Sequence, residues 1–154
     1  MPRASIDIGS NTLHLFVVDD HGNTLEDAGT VVGLGAGLGS RGLFRPDRME
    51  AAEETLTDFA MRARRHGVLA RDVVAVATSA ARRALNAQTF FARVRDSTGL
   101  QVRIISGEEE ARLTWLGAIG GLTLPDGPIG VVDLGAGSTE VVFGEGGELG
   151  DAVS

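Results

Sequence analysis

The sequence predicts an α/β protein with elements in the order βββαβαβα, followed by the opening strands of a second, similar unit. Three observations predict it. Short β-branched runs of strand length alternate with longer stretches of helical period. A turn of the form Asp-apolar-Gly-small occurs between apolar runs near the start, at Asp7, and again at Asp133. Hydrophobic residues make up 43% of the chain, enough for an ordered core.

The first three strands read as an antiparallel meander. Ala4 to Ile8 and Leu13 to Val18 are apolar runs around the tight turn Gly9-Ser10-Asn11. Asp20-His21-Gly22-Asn23 makes the next turn, and Thr24 to Val32 the third strand. Gly33 to Gly42 holds five glycines in ten residues. It reads either as a plain flexible loop or as a loop laid over a ligand. Pro46-Asp47 opens a helix whose Met49, Leu56, Phe59, Ala60 and Ala63 share one face, and Gly67 stops it. Asp72 to Ala77 is a buried strand, too short and too β-branched for a helix.

Thr78 to Thr98 is helical with a break near Asn86, and Gln101 to Ile105 is a strand. Ser106 caps a helix running from about Gly107 to Ala118. Its Ser106-Gly107-Glu108-Glu109 start fits a capping box and puts acidic residues where the helix dipole favours them. Gly120-Gly121 and Pro125-Asp126-Gly127-Pro128 mark a linker, followed by strands at Ile129 to Asp133 and Ser138 to Phe143, a glycine-rich hairpin and a polar tail. The expected organisation is a first unit over 1–122, a linker over 123–128 and an incomplete second unit over 129–154.

Composition narrows the chemistry. The absence of cysteine excludes a disulfide scaffold, thiolate metal sites and a cysteine nucleophile. A net charge of −7 disfavours general nucleic-acid binding, so any anionic ligand must meet local positive charge: backbone amides, a few arginines or a metal ion. No stretch approaches the roughly 18 apolar residues that span a membrane. The N-terminus meets Asp7 before a secretory apolar core could form, which makes the cytoplasm the expected compartment. The 22 glycines are about twice the usual share, as expected where backbone comes close to something.

The repeated turn is the strongest chemical signal. In Asp7-Ile8-Gly9-Ser10-Asn11-Thr12 and Asp133-Leu134-Gly135-Ala136-Gly137-Ser138-Thr139, glycine lets backbone amides converge on one concavity, which grips phosphate oxygens without a cationic side chain. Ser10, Asn11, Ser138 and Thr139 add short donors. Asp7 and Asp133, at strand ends, are placed to hold a divalent cation directly or through water. One such turn alone is ordinarily a plain hairpin; two matching copies make a pair of grips. Glu108-Glu109-Glu110 is either a solvated helix start or the source of one carboxylate acting as general base on water. Successive helical residues lie about 100° apart, so the three do not share a site. An arginine of Arg82-Arg83, following a buried strand, either binds phosphate bidentately or lies on a helix surface. His14, His21 and His66 lack ligand spacing and read as structural or surface residues; Trp115 reads as core or an interdomain contact.

Four segments together carry a resemblance: Ser5 to Thr12, Ala77 to Arg82 with Ala84-Leu85-Asn86, Ile105 to Leu113, and Asp133 to Glu140. In order and spacing they resemble the Ppx/GppA family of exopolyphosphatases and guanosine pentaphosphate phosphohydrolases. The resemblance implies the actin-like, ribonuclease H-like fold, two such domains around a cleft, and Mg2+-dependent hydrolysis of a terminal phosphate of polyphosphate or pppGpp. It implies Glu110 as the catalytic base and Arg82 as a phosphate contact. It also implies Asp7 to Thr12 and Asp133 to Thr139 as the two phosphate loops, turning at Gly9 and at Gly135 and Gly137, with Asp133 and Glu140 in metal binding and water orientation. For a longer family member it implies a homodimer. Ala136 departs from the family's middle glycine and Thr12 from its commoner serine. The chain ends soon after the second unit begins, so alone it is expected to be inactive, with Val131-Val132 and Val141-Val142-Phe143 lacking sheet partners. The alternatives are a sugar-kinase-like ATPase of the same superfamily and a non-catalytic nucleotide- or polyphosphate-binding module.

Overall fold

The computed structural model describes residues 1–145 and 147–153. Gly146 and Ser154, in the expected hairpin and tail, lie outside the described residues. Two sheets form. The first has the order β3-β2-β1-β4-β5 and the second the order β6-β7-β8. Strands β1 (Arg3–Ile8), β2 (Thr12–Val18) and β3 (Thr24–Val31) make the predicted antiparallel meander. Strands β4 (Val74–Ala77) and β5 (Val102–Ile104) join β1 in parallel after helical crossovers. This antiparallel meander extended by parallel strands is the ribonuclease H-like topology of actin-like domains.

Alternation along β1 and β2 decides which face is core. Ala4, Ile6, Ile8, Leu13, Leu15 and Val17 are buried, while Ser5 and Asp7 point to the other face. Helix α2 (Pro46–Arg65) covers the apolar face with Ala52, Leu56, Phe59 and Ala63 buried, and Met49 and Ala60 pack at its margin. The helix begins with Pro46 in its first turn. It ends at His66 with Gly67 at φ 84, a left-handed conformation that costs glycine little. Helix α4 (Ala87–Thr98) packs beside α2 through Phe90, Phe91 and Val94.

The predicted break in the Thr78–Thr98 stretch separates a short α3 (Ser79–Arg83) from α4. Asn86 holds that break in place. Its Oδ1 accepts from the Phe44 amide at 2.8 Å and its Nδ2 donates to the Phe44 carbonyl at 3.1 Å, as a neighbouring strand would. Strand β4 starts two residues later than its sequence suggests, because Ala70–Asp72 close a 3-10 turn. The glycine stretch is neither a plain loop nor uniformly extended: it turns and enters a one-turn helix α1 (Leu38–Arg41), with Leu34 and Leu38 buried in the core.

Helix α5 (Gly107–Ile119) leaves the first sheet. Its buried residues, Ala111 and Trp115, pack with Val142 in a separate apolar cluster against the second sheet, with Ile119, Ile129 and Val131 at its edge. Half of the expected capping box forms: Ser106 Oγ accepts from the Glu109 amide at 3.1 Å, while the Glu109 carboxylate turns away to Arg103. Strands β6 (Pro128–Leu134) and β7 (Thr139–Glu145) make a hairpin, and the expected polar tail forms a third strand, β8 (Glu148–Val153). The expectation that these strands lack partners is therefore corrected at β7, which is hydrogen-bonded on both sides, with Val142 fully buried. Val132 and Phe143, on the far face, are exposed as expected.

Candidate functional site

The two turns of the sequence repeat have the same geometry. In the first, the Gly9 amide donates to the Thr12 carbonyl at 3.0 Å; in the second, the Gly135 amide donates to the Ser138 carbonyl at 3.0 Å. A Cβ on Gly9 would stand 3.0 Å from the Thr12 oxygen, and one on Gly135 would stand 3.1 Å from the Ser138 oxygen. Neither glycine has positive φ, nor does Ala136, so alanine in the middle of the second turn carries no backbone strain. These glycines are required for closeness rather than for an unusual dihedral.

The glycine stretch braces the first turn from behind. The Asn11 carbonyl accepts from the Val32 and Gly33 amides at 2.8 Å each, and the Ser10 carbonyl from the Gly35 amide at 2.8 Å. The turn's carbonyls are thus consumed on one side. Among the described residues the amides of Ser10, Asn11, Ala136 and Gly137 have no protein acceptor. Successive unpaired amides of this kind form a concavity of partial positive charge.

Both turns open onto one cleft of about 420 Å³. It is lined by Asp7, Gly9, Ser10, Asn11, Thr12, Glu110, Asp133, Gly135, Gly137, Ser138 and Glu140, all of which the sequence singled out. Arg82 and Thr139 are not among its lining residues. Thr139 begins β7 opposite Leu134, and Arg82 reaches Glu110 instead. The two turns meet: a Cβ on Gly137 would collide with Ser10 Oγ and come within 3.2 Å of Arg83 Nη2. Ser79 Oγ and Arg83 Nη2 each donate to the Gly137 carbonyl at 3.4 Å, joining α3 to the second turn.

Carboxylates dominate the electrostatics. Asp7 is pushed above its ordinary range, first by burial, then by the negative charge of Glu110, with Asp133 adding to it and His14 opposing it. Glu140 is 2% exposed, and its Oε1 has no hydrogen-bond partner. Glu110 is paired: Arg82 Nη1 donates to its Oε2 at 2.6 Å and to the Ile105 carbonyl at 3.0 Å. Glu108 and Glu109 do not line the cleft, so of the three consecutive glutamates only Glu110 does.

Sequence reasoning missed three participants. Thr78, at the end of β4, lines the cleft. Thr114 Oγ1 donates to Asp133 Oδ2 at 3.4 Å from the third turn of α5. His14 pairs across the hairpin with Asp7 as Glu140 pairs with Asp133, so it occupies Glu140's place in the repeat. Equal spacing from each aspartate would have revealed that correspondence in the sequence.

A family model described as the Ppx/GppA phosphatase family matches residues 16–154. The chain belongs to that family. As a Ppx/GppA member it is 38% identical to exopolyphosphatase 2 of Mycobacterium tuberculosis, over 92% of this chain and 48% of that protein. It is 35% identical to a guanosine-5'-triphosphate,3'-diphosphate pyrophosphatase of Photobacterium profundum, over 93% of this chain and 29% of that protein. Among solved structures, an exopolyphosphatase from Cytophaga hutchinsonii superposes with a TM-score of 0.93 at 31% identity, covering 99% of this chain and 49% of its own. The Ppx/GppA chain thus spans half or less of the length of these relatives.

Proposed function

We propose that this chain carries half of the active site of a phosphoanhydride hydrolase. Its reaction is the removal of a terminal phosphate from inorganic polyphosphate or guanosine pentaphosphate. One observation carries the reading: two matched turns with unpaired amides face the same cleft as Glu110 and three further carboxylates. The names of the relatives from M. tuberculosis and P. profundum supply the two substrate classes.

The roles follow from residue chemistry. The amides of Ser10, Asn11, Ala136 and Gly137 hold phosphate oxygens, assisted by the hydroxyls of Ser10, Thr12 and Ser138 and, from the cleft margin, by the remaining donors of Arg82. Glu110 accepts a proton from a water as that water's oxygen bonds to the terminal phosphorus. The bridging P–O bond breaks, and its electron pair leaves with the shortened phosphate chain. Such a reaction asks the protein mainly to position groups and to offset charge.

A divalent cation fits the donor set. Asp7 and Asp133 offer hard carboxylate oxygens, and the partnerless buried oxygen of Glu140 suits a hydrated ion nearby. Among the described residues no three acidic or histidine side chains converge tightly enough for a cage made of protein ligands alone. Mg2+, which keeps most of its waters, matches two carboxylates better than Zn2+ would. When bound it would offset phosphate charge.

Glu110→Gln tests the assignment. In the natural-length protein it is expected to abolish phosphate release while tripolyphosphate still binds; unimpaired hydrolysis would overturn the role. Release without any sugar acceptor separates hydrolase from sugar kinase, and ligand protection without turnover would favour a binding module. The 154-residue chain alone is expected to release little or no phosphate.

A further inference from the structure

Arg82 is bound to the protein before any substrate arrives. It sits in the last turn of α3, half-buried, and a single nitrogen, Nη1, serves two acceptors: the Ile105 carbonyl at 3.0 Å and Glu110 Oε2 at 2.6 Å. Ile105 immediately precedes Ser106, the residue that caps α5. The guanidinium therefore grips both the entry to α5 and a side chain from its first turn. Glu110 shares its cleft with Asp7, Asp133 and Glu140, so it is surrounded by like charge. Among the described residues Arg82 is the cation hydrogen-bonded to it. Its Nε and Nη2 have no protein partner among the described residues.

We infer that Arg82 is a positioning residue for Glu110, fixing the rotamer of that carboxylate against the repulsion of the neighbouring acids, and that this outweighs any direct contact with phosphate. The inference rests on Glu110 being the base. A charge-assisted hydrogen bond anchored at a backbone carbonyl restricts both the direction and the reach of the carboxylate. Losing it lets Glu110 swing away from the attacking water, and misplacement by about 1 Å costs on the order of a hundredfold in rate. A phosphate contact fails differently, by weakening substrate binding.

The test is a double-mutant cycle in the natural-length protein, with phosphate release from polyphosphate and calorimetric binding of tripolyphosphate as readouts. Arg82→Ala is expected to lower kcat by on the order of a hundredfold, with a much smaller rise in KM. In a Glu110→Gln background, where release is already lost, it is expected to raise the tripolyphosphate Kd only slightly. Arg82→Lys keeps the charge and the fold and is expected to recover part of kcat, which covers the case where the alanine variant is unstable. A rise in KM and in tripolyphosphate Kd with kcat unchanged, or a large rise in that Kd in the Glu110→Gln background, would overturn the inference. Full activity of Glu110→Gln itself would remove its premise, and that single variant separates this failure from the first.

Discussion

Ser10 Oγ occupies the space where a Cβ would stand on Gly137, so the two phosphate-type turns touch through a hydroxyl and a bare α-carbon. The cleft's width at this point is set by that contact. Gly137→Ala is expected to push the turns apart, because Ser10 is itself held by the Gly35 amide and cannot retreat. The cost in stability should be about 1–3 kcal/mol, the usual range for an added methyl in a filled space. Gly137→Ala should also raise KM for polyphosphate, whereas adding Ser10→Gly to Gly137→Ala should restore the melting temperature. An alanine variant with unchanged KM and melting temperature would show that the turns do not meet.

Trp115 is the chain's single tryptophan, and with Ala111 and Val142 it forms the buried contact between α5 and the second sheet. Trp115→Ala should cost about 3–5 kcal/mol. Hydrogen exchange should rise in β6, β7 and β8 while β1, β2 and β4, which share a different core, stay protected. Uniform deprotection of both sheets would contradict the separation of the two clusters.

Asn86 replaces a strand neighbour for Phe44, satisfying both its amide and its carbonyl. Asn86→Ala strands two backbone groups, each worth about 1–3 kcal/mol when left unpaired in the interior. Thermal unfolding should show a loss of that order. Asn86→Asp keeps the acceptor for the amide and loses the donor, so it should fall between wild type and alanine.

Much of this arrangement can be read in the sequence because its signals are local. Each Asp-apolar-Gly turn is complete within a few residues, and the copy at Asp133 repeats the pattern of the copy at Asp7. Partners distant along the chain are harder to read. The glycine-rich stretch looks flexible by composition. Its use as a brace depends on amides at Val32, Gly33 and Gly35 meeting carbonyls more than twenty positions earlier. The apolar stripe of α5 says that it packs, not that it packs on the second sheet. Arg82 beside Arg83 offers two equal guanidinium groups until the backbone sends one to Glu110 and the other to Gly137.

Glu26 on β3 is held between Arg62 of α2, bound through both Nε and Nη2, and Nε2 of His66, the C-cap of that helix, at 2.8 Å. Hydrogen bonds from Arg62 and then His66 keep its carboxyl below its ordinary value of 4.5. A carboxylate depressed in the folded state stabilises above its unfolded pKa, and that contribution is lost as pH falls through the folded value. The melting-temperature difference between wild type and Glu26→Gln should thus be present at pH 5 and shrink below about pH 4. A difference that grows on acidification below about pH 4 would reverse the assignment.

Glu140 sets the fold against the chemistry. It is almost completely buried in β7, and one carboxylate oxygen has no partner. A buried ionic oxygen without a hydrogen bond costs free energy, which a neutral amide of the same shape reduces. Glu140→Gln should therefore leave the chain unharmed or stabilise it by about 1 kcal/mol, a rise of roughly 2–4 °C in melting temperature for a protein of this size. The same change removes a negative oxygen from the cleft where a hydrated cation is proposed. Added Mg2+ should then stabilise the variant less than wild type, and phosphate release by the natural-length protein should fall. Calorimetry with and without Mg2+ reads the first two effects, independent of turnover. A variant that melts lower than wild type in the absence of Mg2+ would mean that Glu140 contributes to the fold, and would overturn this account.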